Sequence, residues 1–201
     1  MKSILSLLFI AALGGNLSAG ELINEDFSSQ GPRWTTQFGE VAVEDGVLKA
    51  SQKTADKHIC AFRRGQPMKD FQLDVDFRFE GAKVINIGFD PARGSLKKKG
   101  HLYSVVLTPT QWQIKEHRDK AIDDSKDKVH ASGKANFKQG EWYHLTLQNK
   151  GTEVEAGIKG TGSLKADYKD FAVAKPAVVF RVGGADGKEA HFDNLKVVAL
   201  P

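Results

Sequence analysis

The sequence predicts an all-β fold in which two antiparallel sheets pack face to face as a β-sandwich or jelly roll. Apolar and polar residues alternate strictly from Phe71 to Glu80, which is typical of a strand with one buried face. Many shorter alternating segments follow at close intervals, separated by turn residues such as Asp45-Gly46. The segments between them show no amphipathic helix pattern.

The predicted strands are short and closely spaced, as in sandwich domains. The segment from Arg118 to Gly140 lacks strand character and is rich in lysine, aspartate, serine and glycine, so we predict a long mobile loop there. We expect Trp34 and Trp142, at strand starts, to pack in the core, and Trp112 to be buried. Besides the strand at 71–80, the predicted strands are 22–27, 34–38, 41–43, 47–50, 84–89, 102–107, 111–117, 142–148, 154–158, 177–182 and 190–199.

The first 20 residues have the pattern of a secretory signal peptide. Lys2 precedes a short apolar run from Ile4 to Leu13, and small residues follow at 18–20. The run is too short to span a membrane, and no later segment is apolar enough to do so. We therefore predict export to the periplasm or the extracellular space. Residues 21–201 have the length of a single jelly-roll domain.

The charge distribution indicates which classes of partner to expect, and the cysteine content indicates whether a disulfide can form. The formal net charge is +4, and basic and acidic residues are interspersed, which argues against a nucleic-acid partner. The densest basic run, Lys97-Lys98-Lys99, is expected to be a solvated loop, with an anionic glycan as the alternative partner. Cys60 is the single cysteine, so no intrachain disulfide can form, and we expect it to be buried.

Five motifs in a fixed order resemble one superfamily. The chain resembles the concanavalin A-like lectin/glucanase (laminin-G-like) jelly roll, and within it the 3-keto-disaccharide hydrolase-type domain. The resemblance implies a carbohydrate ligand on the concave sheet face. The motifs are Asn24-Glu25-Asp26-Phe27, Val43-Glu44-Asp45-Gly46-Val47-Leu48, Lys69-Asp70-Phe71, Gly140-Glu141-Trp142-Tyr143 and Phe192-Asp193-Asn194-Leu195-Lys196-Val197.

The chain departs from these relatives where an acidic catalytic group would stand. Relatives of the hydrolase-type domain carry Asn-Ser-Gly and then Glu-Xaa-Gln, whereas residues 84–89 and 101–105 lack the acidic residue here. Family sixteen glycoside hydrolases place paired carboxylates on one strand face. The nearest equivalents are Asp74, Asp76 and Glu80, and we expect them to form a solvated sheet face instead.

A polar patch is expected on the consecutive strands after Glu80, because neighbours in sequence are usually neighbours in such sheets. Amide, imidazole, phenol and ammonium groups on one face suit the hydroxyl groups of a sugar. The candidate ligand-binding residues are Asn86, Tyr103, Gln113, Lys115 and His117.

The resemblance also implies roles for three residues in or beside this patch. His58, Asp90 and His101 look like features shared with close relatives, and they are the candidates for proton transfer or ligand hydrogen bonds. No other cofactor is expected, but jelly rolls of this type often bind a structural calcium. Here Glu25, Asp26 and Asp193 could supply its oxygen ligands.

Three function classes stay open at this point. The first is a carbohydrate-binding protein that does not cleave its ligand, which the missing acid pair favours. The second is a glycoside-cleaving enzyme, either 3-keto-glycoside hydrolase-like or a lyase. The third is a structural or adhesive surface module. The sequence specifies neither the sugar and its linkage nor the oligomeric state.

Overall fold

The computed structural model describes residues 20–28 and 34–201, and it places them in two antiparallel sheets. The predicted signal peptide lies outside the described residues except for its last residue, Gly20. Within residues 20–28 and 34–201, no helix is long and apolar enough to cross a membrane. Two single turns of 3₁₀-helix, Thr54–Asp56 and Lys169–Ala172, are the only helical elements of the described chain.

The first sheet has eight strands, with the long strand β6 near its centre. Its order is β13-β12-β11-β6-β15-β4-β3, and β1 also pairs with β15. Its strands are β1 Glu21–Glu25, β3 Glu40–Glu44, β4 Val47–Ser51, β6 Phe71–Glu80, β11 Trp142–Lys150, β12 Glu153–Ile158, β13 Gly162–Asp167 and β15 Glu189–Ala199.

The second sheet has seven strands in the order β10-β9-β8-β7-β14-β5-β2. Strands β7, β8, β9 and β10 form a meander, because each pairs with the next along the chain. The strands are β2 Trp34–Phe38, β5 Cys60–Met68, β7 Val84–Phe89, β8 Tyr103–Thr108, β9 Gln111–Glu116, β10 Lys128–Lys134 and β14 Lys175–Gly183.

The core lies between the two sheets and follows from the period-two pattern. In β6 every second side chain, from Phe71 to Phe79, is fully buried, and the intervening side chains are partly exposed. Burying a side chain of this size contributes about 1.5–3 kcal/mol. Cys60 is also fully buried, as predicted, and burial raises the pKa of its thiol to about 12. The all-β jelly-roll prediction is confirmed.

Turn chemistry behaves as the sequence indicates at the hairpin between β3 and β4. Asp45 and Gly46 both have positive φ angles, of 55° and 73°. A two-residue hairpin loop of type I′ requires positive φ at both central positions, which is why Asp-Gly is favoured there.

The predicted loop from Arg118 to Gly140 is wrong in part, because it contains strand β10. β10 pairs with β9 at the edge of the second sheet and has no strictly alternating apolar residues, so its sequence resembles a loop. Phe137, within the same predicted loop, is buried against Phe77 and Phe79. Strands β5 and β13 were not among the predicted strands.

The tryptophans divide between the core and the surface. Trp112 is buried as expected, and Trp34 packs against Phe62 and Phe180. Trp142 was expected in the core, but it is 41% exposed on the outer face of the first sheet. Its ring lies 4.8 Å from the guanidinium carbon of Arg78, and this cation–π contact replaces core packing.

Candidate functional site

The candidate site lies on the solvent-facing side of the second sheet, which we call the outer face. Inward positions of its strands hold core side chains such as Ile87, Val105 and Ile114, so the alternate positions face outward. Strand pairing aligns these outward positions into two rows that cross the sheet. The Arg181 row is Phe38, Ala61, Arg181, Asn86, Val106, Gln113 and Ser132, and the Gly88 row is Thr35, Arg63, Val179, Gly88, Ser104, Lys115 and Val129.

Three charged or titratable groups meet beside the middle of these rows, next to the connection between β7 and β8. Nδ1 of His101 lies 2.6 Å from Oδ1 of Asp90, and Nη2 of Arg181 lies 2.6 Å from Nδ1 and 3.1 Å from Nε2 of the same ring. An ionised carboxylate only accepts hydrogen bonds, so Nδ1 carries the proton and donates to Asp90. Nε2 is then the acceptor for Arg181.

The environment keeps Asp90 ionised. Burial alone would raise the pKa of this carboxyl, but the hydrogen bond from His101 and the positive charges of Arg181 and Arg63 hold the pKa below its usual value. Arg181 is 6% exposed, and burial lowers the pKa of its guanidinium, with Asp90 opposing that effect. The two groups are 3.9 Å apart, too far for a hydrogen bond.

His117 and Ser104 extend this group along the outer face. Nε2 of His117 and the Ser104 hydroxyl lie 2.8 Å apart, and the His117 and His101 rings meet edge to face at 5.5 Å between centroids. Burial lowers the pKa of His117 to about 4, so its imidazole is neutral at pH 7. We call Asp90, His101, Arg181, His117 and Ser104 the Asp90 cluster.

Gly88 lets the strands of the cluster approach closely. A Cβ atom at Gly88 would overlap Oγ of Ser104 on the adjacent strand and lie 3.1 Å from the Tyr103 carbonyl oxygen. A glycine at this point therefore leaves room for the Ser104 hydroxyl that contacts His117.

The segment after β9 folds back against the cluster. Nζ of Lys115 lies 2.9 Å from Oδ2 of Asp127, and the backbone N–H of Arg118 donates to Oδ1 of the same carboxylate. Asp127 thus carries part of the predicted loop onto the outer face. Burial would raise the pKa of Asp127, but the Arg118 N–H and the Lys115 ammonium hold it below its usual value.

A buried ionic network supports the segment that carries His101. Lys98 and His130 lie 3.0 and 3.1 Å from the Glu116 carboxylate, and their side chains are only 10% and 8% exposed. Lys98 therefore does not belong to a solvated basic run, contrary to the prediction. The network ties the loop before β8 to β9 and β10.

Two hollows flank Asp90, with volumes of about 320 and 330 Å³. His101 and Lys98 line the first, and Arg63 and Thr35 line the second. Hollows of about 530 and 520 Å³ lie at other sheet edges, but no histidine lines either of them. The Asp90 cluster therefore combines concavity with interacting titratable groups, the usual combination at a binding site.

The structure brings together most, but not all, of the predicted site residues. Asn86, Gln113 and Lys115 lie in the two rows, and His117 and His101 lie in the Asp90 cluster. Their grouping on one face follows the prediction that consecutive strands share a sheet face.

Tyr103 is a correction, because its side chain is fully buried on the core side and donates to Oδ1 of Asn149 at 3.0 Å. Leu102 and Tyr103 are both buried, so alternation breaks just before β8 and puts His101 and Tyr103 on different sides. The outward position on β8 belongs to Ser104 instead.

His58 does not join the Asp90 cluster. It is exposed, its Nδ1 lies 2.7 Å from the carbonyl oxygen of Ile59, and its ring stacks on Phe38 at 4.3 Å between centroids. Phe38 ends the Arg181 row, so the pair borders the outer face at its edge.

Two of the three predicted calcium ligands lie near each other, since burial and the charges of Asp76 and Asp26 raise the pKa of Asp193. The Glu25 carboxylate is taken by Arg64 at 2.6 Å, while Asp26 accepts from the Ser28 N–H and Asp193 from the Asn194 N–H. Within the described residues no group of three or more histidine, cysteine, aspartate or glutamate side chains could hold a metal ion. The three carboxylates therefore do not form the predicted ligand group.

The three carboxylates weighed as a glucanase-like set lie on the opposite side of the sandwich. Asp74, Asp76 and Glu80 occupy the outer face of the first sheet and are bonded by neighbouring side chains. Asp76 accepts from His144, and Glu80 pairs with Arg78 at 2.8 Å. They form a solvated, internally paired face, as expected.

Arg181 and Arg63 were not predicted as site residues. Arg181 interrupts an otherwise apolar run in β14, and an arginine in a buried strand is itself a signal, because arginine is rarely buried without a role. Arg63 gives no such signal, because β5 itself was not predicted.

Comparison with solved structures shows the fold. Carbohydrate-binding module CBM66 from Bacillus subtilis is 14% identical, with a TM-score of 0.65 over 83% of this chain and 96% of that chain. The Bacillus licheniformis β-glucanase is 9% identical, with a TM-score of 0.61 over 92% of this chain and 100% of that chain. SCLam, a non-specific endo-β-1,3(4)-glucanase of family GH16, is 12% identical, with a TM-score of 0.64 over 88% and 89%.

Sequence comparison identifies the family. No curated protein matches this chain. A family model described as the 3-keto-alpha-glucoside-1,2-lyase-like domain matches residues 19–198, nearly the whole sandwich. The sequence motifs and the two-sheet jelly roll agree with this match. The chain therefore belongs to the 3-keto-alpha-glucoside-1,2-lyase-like domain family.

Proposed function

We propose that the protein binds a saccharide on the outer face of the second sheet, around the Asp90 cluster. The main support is a pair of side-chain amides that form no hydrogen bonds within the described chain. Asn86 and Gln113 are partly exposed in the Arg181 row, separated by Val106, and their side chains make no hydrogen bond to any described residue. An amide donates and accepts together, which matches the paired hydroxyl groups of a sugar ring.

An aromatic surface lies at the far end of the same row. Phe38 is 40% exposed and stacks with His58. Two strand spacings of about 4.8 Å separate Phe38 from Arg181, so the backbone distance is roughly 10 Å. We assign the Phe38–His58 pair to the apolar face of a sugar unit beyond the one at the cluster, which makes the ligand an oligosaccharide.

Binding without cleavage fits the state of the two histidines. The Nε2 lone pair of His101 accepts from Arg181, so it is not free to take a proton from a ligand. His117 has a pKa of about 4, far below that of an effective general base at pH 7. Both rings are therefore assigned to hydrogen bonding, as are Lys115 and Asp90.

Cleavage of a glycoside is the second candidate, and a specific contact favours it. The Asp90–His101 hydrogen bond orients an imidazole as acid–base sites require, and the family is described as lyase-like. Catalysis would require the ligand to displace Arg181 from Nε2 of His101. The proton could then pass to that nitrogen.

One experiment distinguishes these functions. The protein is incubated with oligosaccharides and with 3-keto-glycosides, and both calorimetric binding and product release are followed. Binding without product, weakened by Asn86→Ala or Gln113→Ala but not by the exposed control Asn136→Ala, supports the proposal. Turnover that His101→Ala abolishes would establish the enzyme instead. A folded protein that binds and cleaves nothing would point to a structural or adhesive module.

We also propose that the protein is exported, with a mature chain beginning near Gly20 or Glu21. The support is the charged and apolar pattern of the first 20 residues. Mass spectrometry of the protein recovered from the periplasm and the medium tests this. An intact Met1 or Lys2 in the recovered protein would contradict it.

A further inference from the structure

The guanidinium of Arg181 has unused hydrogen-bonding capacity. Its side chain is 7% exposed, and Nη1 is buried without a hydrogen-bond partner among the described residues. Among residues 20–28 and 34–201, Nη2 has hydrogen-bond contacts only with the His101 ring, and the Asp90 carboxylate is 3.9 Å away. An unpaired donor on a buried charge is costly, so such groups usually have a partner in the functional state.

The two rows around Arg181 carry positive charge only. Among their members, Arg63, Lys115 and Arg181 are cationic, and none is a carboxylate. Arg63 is exposed and forms no ion pair with a described residue. It lies one row from Arg181 on the adjacent strand, a diagonal neighbour about 7–8 Å away.

Two carboxylates beside the rows, Asp90 and Asp127, offset only part of this charge, because they face three cations. Asp90 is bonded to His101, and Asp127 is bonded to Lys115 and to the Arg118 N–H. The two arginines, Arg63 and Arg181, are therefore left without a bidentate acceptor. A guanidinium presents paired N–H groups that suit the two oxygens of a carboxylate or a sulfate.

We propose that the saccharide bound on the outer face is acidic, and that its anionic group occupies the space between Arg63 and Arg181. This inference rests on the proposed function and names its ligand class. Nη1 is closed to solvent and the Arg181 side chain is 7% exposed, so binding of the anionic group requires a local rearrangement around Arg181. Asn86 and Gln113 then bind the hydroxyl groups of the same ligand.

The test compares ligands that differ only in charge. Trigalacturonate is measured by calorimetry against its fully methyl-esterified form, which has the same skeleton without the carboxylates. A sulfated galactose trisaccharide distinguishes sulfate from carboxylate as the source of the anion. We expect an anionic trimer to bind at least about tenfold more tightly than the neutral ester, since hydrogen bonds to charged groups are the stronger ones. Added salt should weaken this preference.

Variants locate the anion. Arg63→Gln removes both the charge and the paired donors, whereas Arg181→Lys keeps the charge but not the paired donors. Each substitution should reduce the preference for the acidic trimer over the ester about tenfold. Lys159→Gln, an exposed change in the turn after β12, should leave it unchanged. The side-chain NMR signals of His101 should shift on addition of the acidic trimer and not of the ester. Arg63→Gln alone suffices if Arg181→Lys does not fold.

The outcomes separate this inference from the proposed function. Equal affinity for acid and ester, with both weakened by Gln113→Ala, overturns the acidic ligand and leaves saccharide binding intact. An acidic preference that survives both arginine substitutions also overturns the inference, because the anion then binds elsewhere. Failure of every saccharide to bind folded protein overturns both.

Discussion

The Asp90 carboxylate accepts a hydrogen bond from Nδ1 of His101 at 2.6 Å, and this contact sets which imidazole nitrogen carries the proton. Nε2 is left as an acceptor, and Arg181 donates to it. The three side chains come from different parts of the chain, so each holds the others in place. Replacing any one of these side chains should therefore disturb the positions of the other two.

Asp90→Asn should lower the free energy of unfolding by about 1–3 kcal/mol, because it replaces a charged hydrogen-bond acceptor and leaves Arg181 without a nearby countercharge. Urea denaturation at pH 7 measures this. Asp124→Asn, at an exposed carboxylate, is the matched control and should change stability little. Equal effects of the two substitutions would show that the Asp90 contact adds no stability.

His117 should make stability depend on pH between about 4 and 6.5. The folded pKa of His117 is lowered to about 4 from 6.5, so the unfolded chain binds more protons in that window. Stability should therefore fall as pH decreases from 6.5 to 4, by up to about 3 kcal/mol. His117→Gln should flatten this slope in urea titrations, whereas His58→Gln, at an exposed ring, should not. A slope that persists in His117→Gln would assign it to other groups.

Lys175 should make the folding stability depend on pH in the alkaline range. Its ammonium is fully buried and donates to the carbonyl oxygens of Phe171 and Lys69, and burial lowers its pKa to about 8 from 10.5. The folded protein loses this proton before the unfolded chain does, so Lys175 should raise stability as pH increases from 8 to 10.5.

The size of the Lys175 effect is at most about 3 kcal/mol. Lys175→Met should remove this rise in thermal or urea unfolding between pH 8 and 10.5, and Lys159→Met should retain it. If the wild type and Lys175→Met have parallel profiles, the ammonium keeps an ordinary pKa.

Replacing Trp112 or Trp142 by alanine should lower the free energy of unfolding by very different amounts. Trp112→Ala should cost about 3–5 kcal/mol, because it leaves a cavity in the core. Trp142→Ala should cost no more than about 1 kcal/mol, the value of an exposed cation–π contact with Arg78. Chemical denaturation of the two variants compares them directly. Similar losses would place Trp142 in a packed environment.

The strands were predictable from the sequence wherever one strand face is buried, because such strands alternate apolar and polar residues. β6 alternates without interruption, and its burial pattern matches the alternation residue by residue. β10 could not be found this way, because it is an edge strand whose polar side chains face solvent and leave no periodic signal. Pairing with β9, a tertiary effect, determines its structure.

The candidate site was predictable only as far as alternation holds. Asn86, Gln113 and Lys115 lie in the two rows because β7 and β9 alternate regularly, whereas the break at Leu102 moved Tyr103 into the core. Arg181 joins the cluster through its long side chain. Sequence spacing cannot show that contact, because β14 and the segment at His101 are far apart along the chain.

The Arg181 and Gly88 rows draw their members from all seven strands of the second sheet. No fragment of the chain contains them all, and they align only when β14 has inserted between β5 and β7. A ligand on these rows therefore recognises only the completed sheet, and occupancy should protect the entire sandwich against unfolding and proteolysis rather than any local segment.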